Sequence, residues 1–146
     1  MTPTLVFVAL VGLVCLATVL GLVQRAATGR VRRAGADHRH QLVRARDLPG
    51  VARLGTGATL VQFSTEVCSP CKATHRILDR LANDLDGVAH VDLDVTHRPE
   101  LASRYRVLQT PTTLILDHRG IVRARIGGAP RPTELRAELD RVLATA

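Results

Sequence analysis

The side chains best suited to covalent chemistry in this chain of 146 residues are its three cysteines. Two of them enclose a serine and a proline, in the order Cys68-Ser69-Pro70-Cys71. A C-x-x-C pair beside a β–α–β pattern is typical of a thiol–disulfide redox site. Free amide groups and the helix dipole stabilise a thiolate at the start of a helix, which predicts Cys68 as the nucleophile. Cys71 follows one turn later and is placed to attack the mixed disulfide and release the substrate as a dithiol.

A metal site is the alternative interpretation of this region, because Cys68, Cys71 and His75 could supply three ligands. The sequence contains no second C-x-x-C and no paired-His motif that would supply a matching half-site. The redox interpretation is therefore favoured, with no metal expected, and a non-catalytic metal-binding scaffold stays open as the alternative. The third cysteine, Cys15, lies in an apolar run and is expected to be a small apolar filler.

Hydrophobic periodicity predicts the elements that must position the pair. Residues 59–63 form a short β-prone run just before the motif, and residues 70–85 carry apolar side chains at helical spacing. Further along the chain, the pattern predicts strands at residues 88–95, 112–116 and 121–126, a short helix at 99–105 and a last helix from Pro132. This order indicates an α/β domain with a partly parallel sheet that a hairpin completes.

The first part of the chain has a different composition. Residues 5–23 contain no charge, amide or proline. At about 1.5 Å per helical residue, such a run spans the roughly 30 Å hydrocarbon layer of a membrane. We expect a transmembrane anchor. The alternative is a cleaved secretory signal, but the basic n-region, the shorter apolar core and the small-x-small cleavage site that mark one are not found.

The net charge of +7 is concentrated directly after this apolar run. Residues 25–54 hold eight Arg against two Asp, whereas residues 55–146 hold twelve basic and eleven acidic groups. A basic flank of this kind favours the cytoplasmic side of a membrane, so we expect a single-pass protein with its C-terminal domain in the cytoplasm. The nearly neutral domain, with two Phe and one Tyr in the whole chain, argues against a nucleic-acid partner.

These features divide the chain into three expected parts. Residues 1–24 are the membrane anchor, residues 25–54 a basic juxtamembrane tether with one short helix over residues 39–46, and residues 55–146 the folded domain. The apolar pattern that builds a core begins only near Thr59, so the tether is expected to lie outside the domain.

From Thr59 to Ala144 the sequence resembles a thioredoxin-family domain, similar in layout to membrane-anchored members found in actinobacteria. The resemblance rests on the CSPC motif between strand and helix, the Val91-Asp92-Leu93-Asp94 strand, the Thr110-Pro111-Thr112 segment and Gly127. It implies the thioredoxin fold, a central mixed β-sheet flanked by helices, and no cofactor besides the disulfide of the pair. It also implies that Pro111 follows a cis peptide bond and lies against the two cysteines, with Thr110 offering backbone groups to a substrate.

Two positions depart from this family. Thioredoxins have an Asp in the strand before the motif and a Trp before the first Cys, whereas this chain has Gln62 and Val67. An amide cannot take the Cys71 proton as a carboxylate would. Glu66 is the nearest acidic residue in sequence, so Gln62 and Glu66 are the positions at which a proton relay is sought.

The favoured hypothesis is a protein-disulfide reductase at the inner face of the membrane. Its partners would be a disulfide-containing protein or small-molecule substrate and a thiol electron donor. If the basic segment were outside the cell, an extracytoplasmic thiol oxidase, isomerase or cytochrome-maturation reductase would be required instead.

Overall fold

A computed structural model describes residues 3–33 and 41–145, and for residues 25–27 the backbone alone. The helices are α1 (Pro3–Ala27), α2 (Ser69–Asp84), α3 (Pro99–Arg104) and α4 (Pro132–Leu143). The strands are β1 (Val31–Arg33), β2 (Ala58–Ser64), β3 (Val88–Asp94), β4 (Thr112–Asp117) and β5 (Val122–Gly127). Every element predicted from residue 59 onward is present, with bounds that differ by at most one residue.

The five strands form one mixed sheet in the order β1-β5-β4-β2-β3. The β2–β3 pair is parallel and its crossover is α2, whereas β4 runs antiparallel to both β2 and β5. This is the thioredoxin fold expected from the sequence. The central strand β2 is buried along its whole length and ends four residues before Cys68, so the sheet fixes where the motif begins.

Each face of the sheet carries its own core. On one face, α2 and α4 pack through a cluster that includes Leu78 and Leu139. On the other face, α3 covers only part of the sheet, because this helix is six residues long. There Phe63 and Tyr105 contact each other with ring centroids 5.2 Å apart, and the remaining area is filled from an earlier part of the chain.

That earlier part is residues 25–54, which the sequence pattern predicts to be a tether outside the domain. For the described residues of this segment, that expectation is wrong. Val43 and Leu48 are 1% and 2% exposed and belong to the core on the α3 face. The amide of Val43 donates to the carbonyl of Gly120 (2.8 Å) in the β4–β5 turn. Gly120 has φ +81°, and a Cβ there would collide with the Val43 carbonyl oxygen. The tether residues therefore complete the domain.

Two further details differ from the tether expectation. Val31–Arg33 form the edge strand β1, which pairs antiparallel with β5. The helix expected over residues 39–46 falls partly outside the described residues. Within the described part, the structure has only a single 3-10 turn, Ala45–Asp47.

The N-terminal helix reaches almost to the sheet. Within the described residues, Pro3–Gln24 is the one stretch whose length and apolar composition would let it cross a membrane, and a signal sequence would meet the same criteria. Residues 28–30 alone separate α1 from β1, and the Gly29 amide donates to the Gly127 carbonyl (2.8 Å). A membrane around α1 would therefore lie close to the β1–β5 edge of the domain.

Candidate active site

The two cysteines of the motif lie at the start of α2. Cys68 is the N-cap residue, Pro70 falls in the first turn, and the Cys71 amide donates to the Cys68 carbonyl (3.1 Å). A disulfide joins Cys68 and Cys71, with Cα atoms 5.2 Å apart. The two residues are 8% and 4% exposed. Cys68 is thus placed where helix amides favour a thiolate, and Cys71 is the more enclosed sulfur.

The loop before β4 lies beside the segment that leads into the motif. The peptide bond between Thr110 and Pro111 is cis, the geometry that the resemblance implies. The hydroxyl groups of Thr110 and Thr65 are hydrogen-bonded (3.2 Å), which joins this loop to the chain three residues before Cys68. Pro111 itself is buried, and its carbonyl accepts from the Gly128 amide (2.7 Å).

Gln62 is fully buried in β2, and its side chain reaches the first turn of α2. Its Nε2 donates to the Cys71 carbonyl (3.0 Å), and its Oε1 has no hydrogen-bond partner among the described residues. The side chain therefore holds the backbone of Cys71 but offers no carboxylate to its thiol. Glu66, the other relay candidate, is exposed, and its amide donates to the Thr96 hydroxyl (3.0 Å).

Asp92 is the acidic residue that sequence reasoning missed. It pairs in register with Gln62 across the β2–β3 ladder. Its two oxygens are held by Ser64, whose hydroxyl donates at 2.6 Å, and by Nδ1 of His75 at 3.1 Å. The alternation of β3 could have indicated it, because Asp92 shares a face with His90 and not with the core residues Val91 and Leu93.

A groove of about 580 Å³ opens beside the disulfide. Its lining includes both cysteines and the following polar side chains: Ser64, Thr65, Glu66, Lys72, His75, Arg76, Asp92 and Asp94. The hydroxyl and amide of Thr96 hydrogen-bond to Asp94 and hold the pKa of its carboxyl below its usual range, so Asp94 is charged at neutral pH. Behind the groove, burial of the His90 ring lowers its pKa, and the electrostatic interaction with the neighbouring His75 lowers it further.

Comparison with known proteins agrees with this geometry. The thioredoxin family model matches residues 51–141. The chain belongs to the thioredoxin family. Thioredoxin from Staphylococcus epidermidis is 32% identical over 91 residues, covering 62% of this chain and 88% of that protein. Thioredoxin from Staphylococcus saprophyticus is 34% identical over 77 residues, covering 52% and 74%.

Solved structures give the same result. Fasciola hepatica thioredoxin superposes with a TM-score of 0.52 at 28% identity, covering 60% of this chain and 82% of that one. Oxidized mitochondrial thioredoxin 3 from Saccharomyces cerevisiae gives a TM-score of 0.52 at 27% identity, covering 59% and 79%. Family membership and the disulfide at the helix start identify the domain as a thiol–disulfide oxidoreductase. The cysteines are bonded to each other, and His75 pairs with Asp92 rather than with them.

A carboxylate restored at position 62 should speed the second half of the reaction. We expect Gln62→Asp to accelerate release of the mixed disulfide by up to about 10²-fold, because a positioned base near Cys71 can take its proton. The first attack by Cys68 should hardly change. Stopped-flow measurement of the two steps tests this, with Gln62→Asn as the control that shortens the side chain without adding a base. An unchanged release rate would show that solvent or Asp92 already accepts the proton.

Proposed function

We propose that this protein reduces disulfides in other proteins, with Cys68 as the attacking thiolate and Cys71 as the resolving thiol. In each turnover the Cys68 thiolate attacks one substrate sulfur, and the second substrate sulfur leaves as a thiolate. Cys71, after losing its proton, then attacks Cys68, which releases the first substrate sulfur. The substrate gains two electrons, the pair becomes a disulfide, and a thiol donor must reduce the pair again.

The charge of the groove supports the reducing direction. Glu66, Asp92 and Asp94 line it against two full cations, Lys72 and Arg76. Strongly oxidising members of this chemistry owe their potential to a stabilised reduced form, in which cationic surroundings favour the thiolate. The carboxylates of the groove outnumber its Lys and Arg side chains by one, three against two, and this balance opposes that stabilisation. The disulfide form is then relatively stable, and the dithiol is a good reductant.

Equilibration with a glutathione redox buffer tests this direction. We expect a reduction potential nearer to roughly −270 mV than to roughly −120 mV, which are the reducing and oxidising ends of this class. Asp94→Asn should make the potential less negative by about 5–20 mV, because one partly screened charge contributes about 0.2–1 kcal/mol. Asp84→Asn, at the exposed far end of α2, is the matched control. A wild-type potential near the oxidising end would contradict the proposal.

Exposed apolar side chains beside the motif support a protein substrate. Val67, the residue before Cys68, is 98% exposed, and Leu108, two residues before Thr110, is 95% exposed. The Thr65–Thr110 hydrogen bond joins the two segments that carry them. Two such side chains on segments that adjoin the motif offer apolar contacts to a substrate chain.

We further propose that α1 crosses the membrane and that the domain faces the cytoplasm, where basic flanks are retained. In a Cys15→Ser, Cys71→Ser background, in which Cys68 is not held in the disulfide, Cys68 should resist membrane-impermeant thiol reagents in intact cells, whereas Thr4→Cys in a chain without other cysteines should react. Cell lysis should make Cys68 reactive. Rapid labelling of Cys68 before lysis would place the domain outside the cytoplasm, and a shortened N-terminus by mass spectrometry would show a cleaved signal.

A further inference from the structure

A second group of potential metal ligands lies next to the redox groove and contains neither cysteine. His75 and Asp79 stand one turn apart on α2, and His90 faces them from β3. One ligand atom from each residue lies within 4.8 Å of the other two. The two imidazole rings are 4.8 Å apart between centroids. Two imidazoles and one carboxylate form a donor set that suits Zn²⁺ and related divalent transition ions.

His90 is the member of this group whose side chain most clearly lacks a hydrogen-bond partner. Its side chain is only 4% exposed, and its Nδ1 lies 4.0 Å from Oδ1 of Asp79, which is too far for a hydrogen bond. Its Nε2 is buried with no hydrogen-bond partner among the described residues. Buried polar groups are normally satisfied. A cation between His90, Asp79 and His75 would supply a partner to Nδ1, the ring nitrogen that lies nearer Asp79.

The surroundings of His75 match those of a metal-binding histidine. Its Nδ1 is paired with Oδ2 of Asp92, and Oδ1 of Asp92 accepts the hydroxyl of Ser64. A carboxylate on one ring nitrogen fixes the tautomer and orients the other nitrogen, as it does for most histidines that bind metals. Nε2 of His75 is then the nitrogen left for a metal.

The spacing requires a side-chain adjustment. In a tetrahedral site with metal–ligand distances of about 2.1 Å, the ligand atoms are about 3.4 Å apart. The present limit of 4.8 Å exceeds this by about 1.4 Å. Asp79 is 58% exposed and can rotate towards His90, and the 48% exposed His75 can shift its ring while its Nδ1 stays paired with Asp92.

We propose that His75, Asp79 and His90 form a binding site for a divalent transition-metal ion, with Asp92 orienting His75. Three protein ligands leave a fourth position open to water. The site uses no cysteine sulfur, so it is present in the disulfide form of the protein. The proposal does not depend on the direction of the redox reaction.

Zinc titration of the oxidised full-length chain in detergent tests the site, using protein without a histidine tag. We expect one Zn²⁺ per chain, and an affinity that falls about tenfold or more in both His75→Ala and Asp79→Asn. These two residues are exposed on α2, so their loss should leave the fold intact. His90→Ala should abolish binding, whereas His97→Ala, an exposed histidine outside the cluster, should bind as the wild type does.

Two further measurements separate this site from one at the thiols. The Cys68→Ser, Cys71→Ser double variant should bind Zn²⁺ with unchanged affinity, and a Co²⁺-loaded wild type should show visible absorption without a thiolate charge-transfer band. Absence of binding to the oxidised chain would overturn the proposal. So would equal binding by wild type, His75→Ala and Asp79→Asn, or binding that is lost only in the cysteine variant.

Discussion

Cys68→Ser is expected to abolish attack on a substrate disulfide, whereas Cys71→Ser should attack and then stall as a covalent mixed disulfide. The reason is the placement of the two sulfurs. Cys68 caps α2, where helix amides favour its thiolate, and Cys71 lies one turn inside the helix with only 4% exposure. Incubation of each variant with a disulfide-bonded protein, followed by mass spectrometry under non-reducing conditions, distinguishes the two outcomes.

Cys15 must be replaced by Ser in all chains of this experiment, because it is the one free cysteine in the described structure. Alkylation at neutral pH gives an independent check: in the reduced chain, Cys68 should react faster than Cys71. A mixed disulfide that forms through Cys71 in the Cys68→Ser variant, at the rate of wild type, would reverse the two roles.

Removal of residues 1–54 should unfold the domain, although the sequence pattern places its start at residue 55. Val43 and Leu48 fill the sheet face that α3 leaves uncovered. Loss of such side chains costs about 2–5 kcal/mol each. The strand β1 and the hydrogen bond from Val43 to Gly120 are lost with them. The summed loss of stability is comparable to the free energy of unfolding of a typical domain, which is roughly 5–15 kcal/mol.

Removal of residues 1–27 is the matched control, because it deletes α1 but keeps β1 and the segment around Val43. This shorter deletion should give a soluble domain with a cooperative thermal transition and an active cysteine pair. Circular dichroism during heating compares the two. A folded 55–146 fragment with the same melting temperature as the 28–146 fragment would show that the tether adds nothing to stability.

The missing elements show why the sequence-based boundary was wrong. Leu48 and the Leu42–Val43 pair lie in an Arg-rich stretch without a regular apolar spacing, so no period marks them. Val43 and Leu48 are buried because the short helix α3 leaves part of the sheet uncovered. This is a property of the tertiary structure, and the local sequence pattern does not reveal it. Likewise β1 has only three residues and pairs with β5, which lies some ninety residues further along the chain. A short edge strand formed by such a distant pairing leaves no local signal.

The active site was more accessible to prediction than the groove around it. The motif, its place at a helix start and the Thr110-Pro111 segment are contiguous in sequence, so a pattern reveals them. Asp92 and His75 are seventeen residues apart and meet only because α2 crosses over β3. The alternation of β3 places His90 and Asp92 on one face. Which helix covers that face depends on the fold, and so the carboxylate beside Gln62 was not found from sequence.

The central claim is that the Cys68–Cys71 pair passes electrons from a thiol donor to protein disulfides. The most direct test is the rate at which a dithiol donor reduces an interchain protein disulfide in the presence of the full-length chain in detergent. Our account predicts that the wild type accelerates this reduction catalytically and that the Cys68→Ser, Cys71→Ser double variant leaves the uncatalysed rate unchanged. Equal rates with the wild type and the double variant would contradict it.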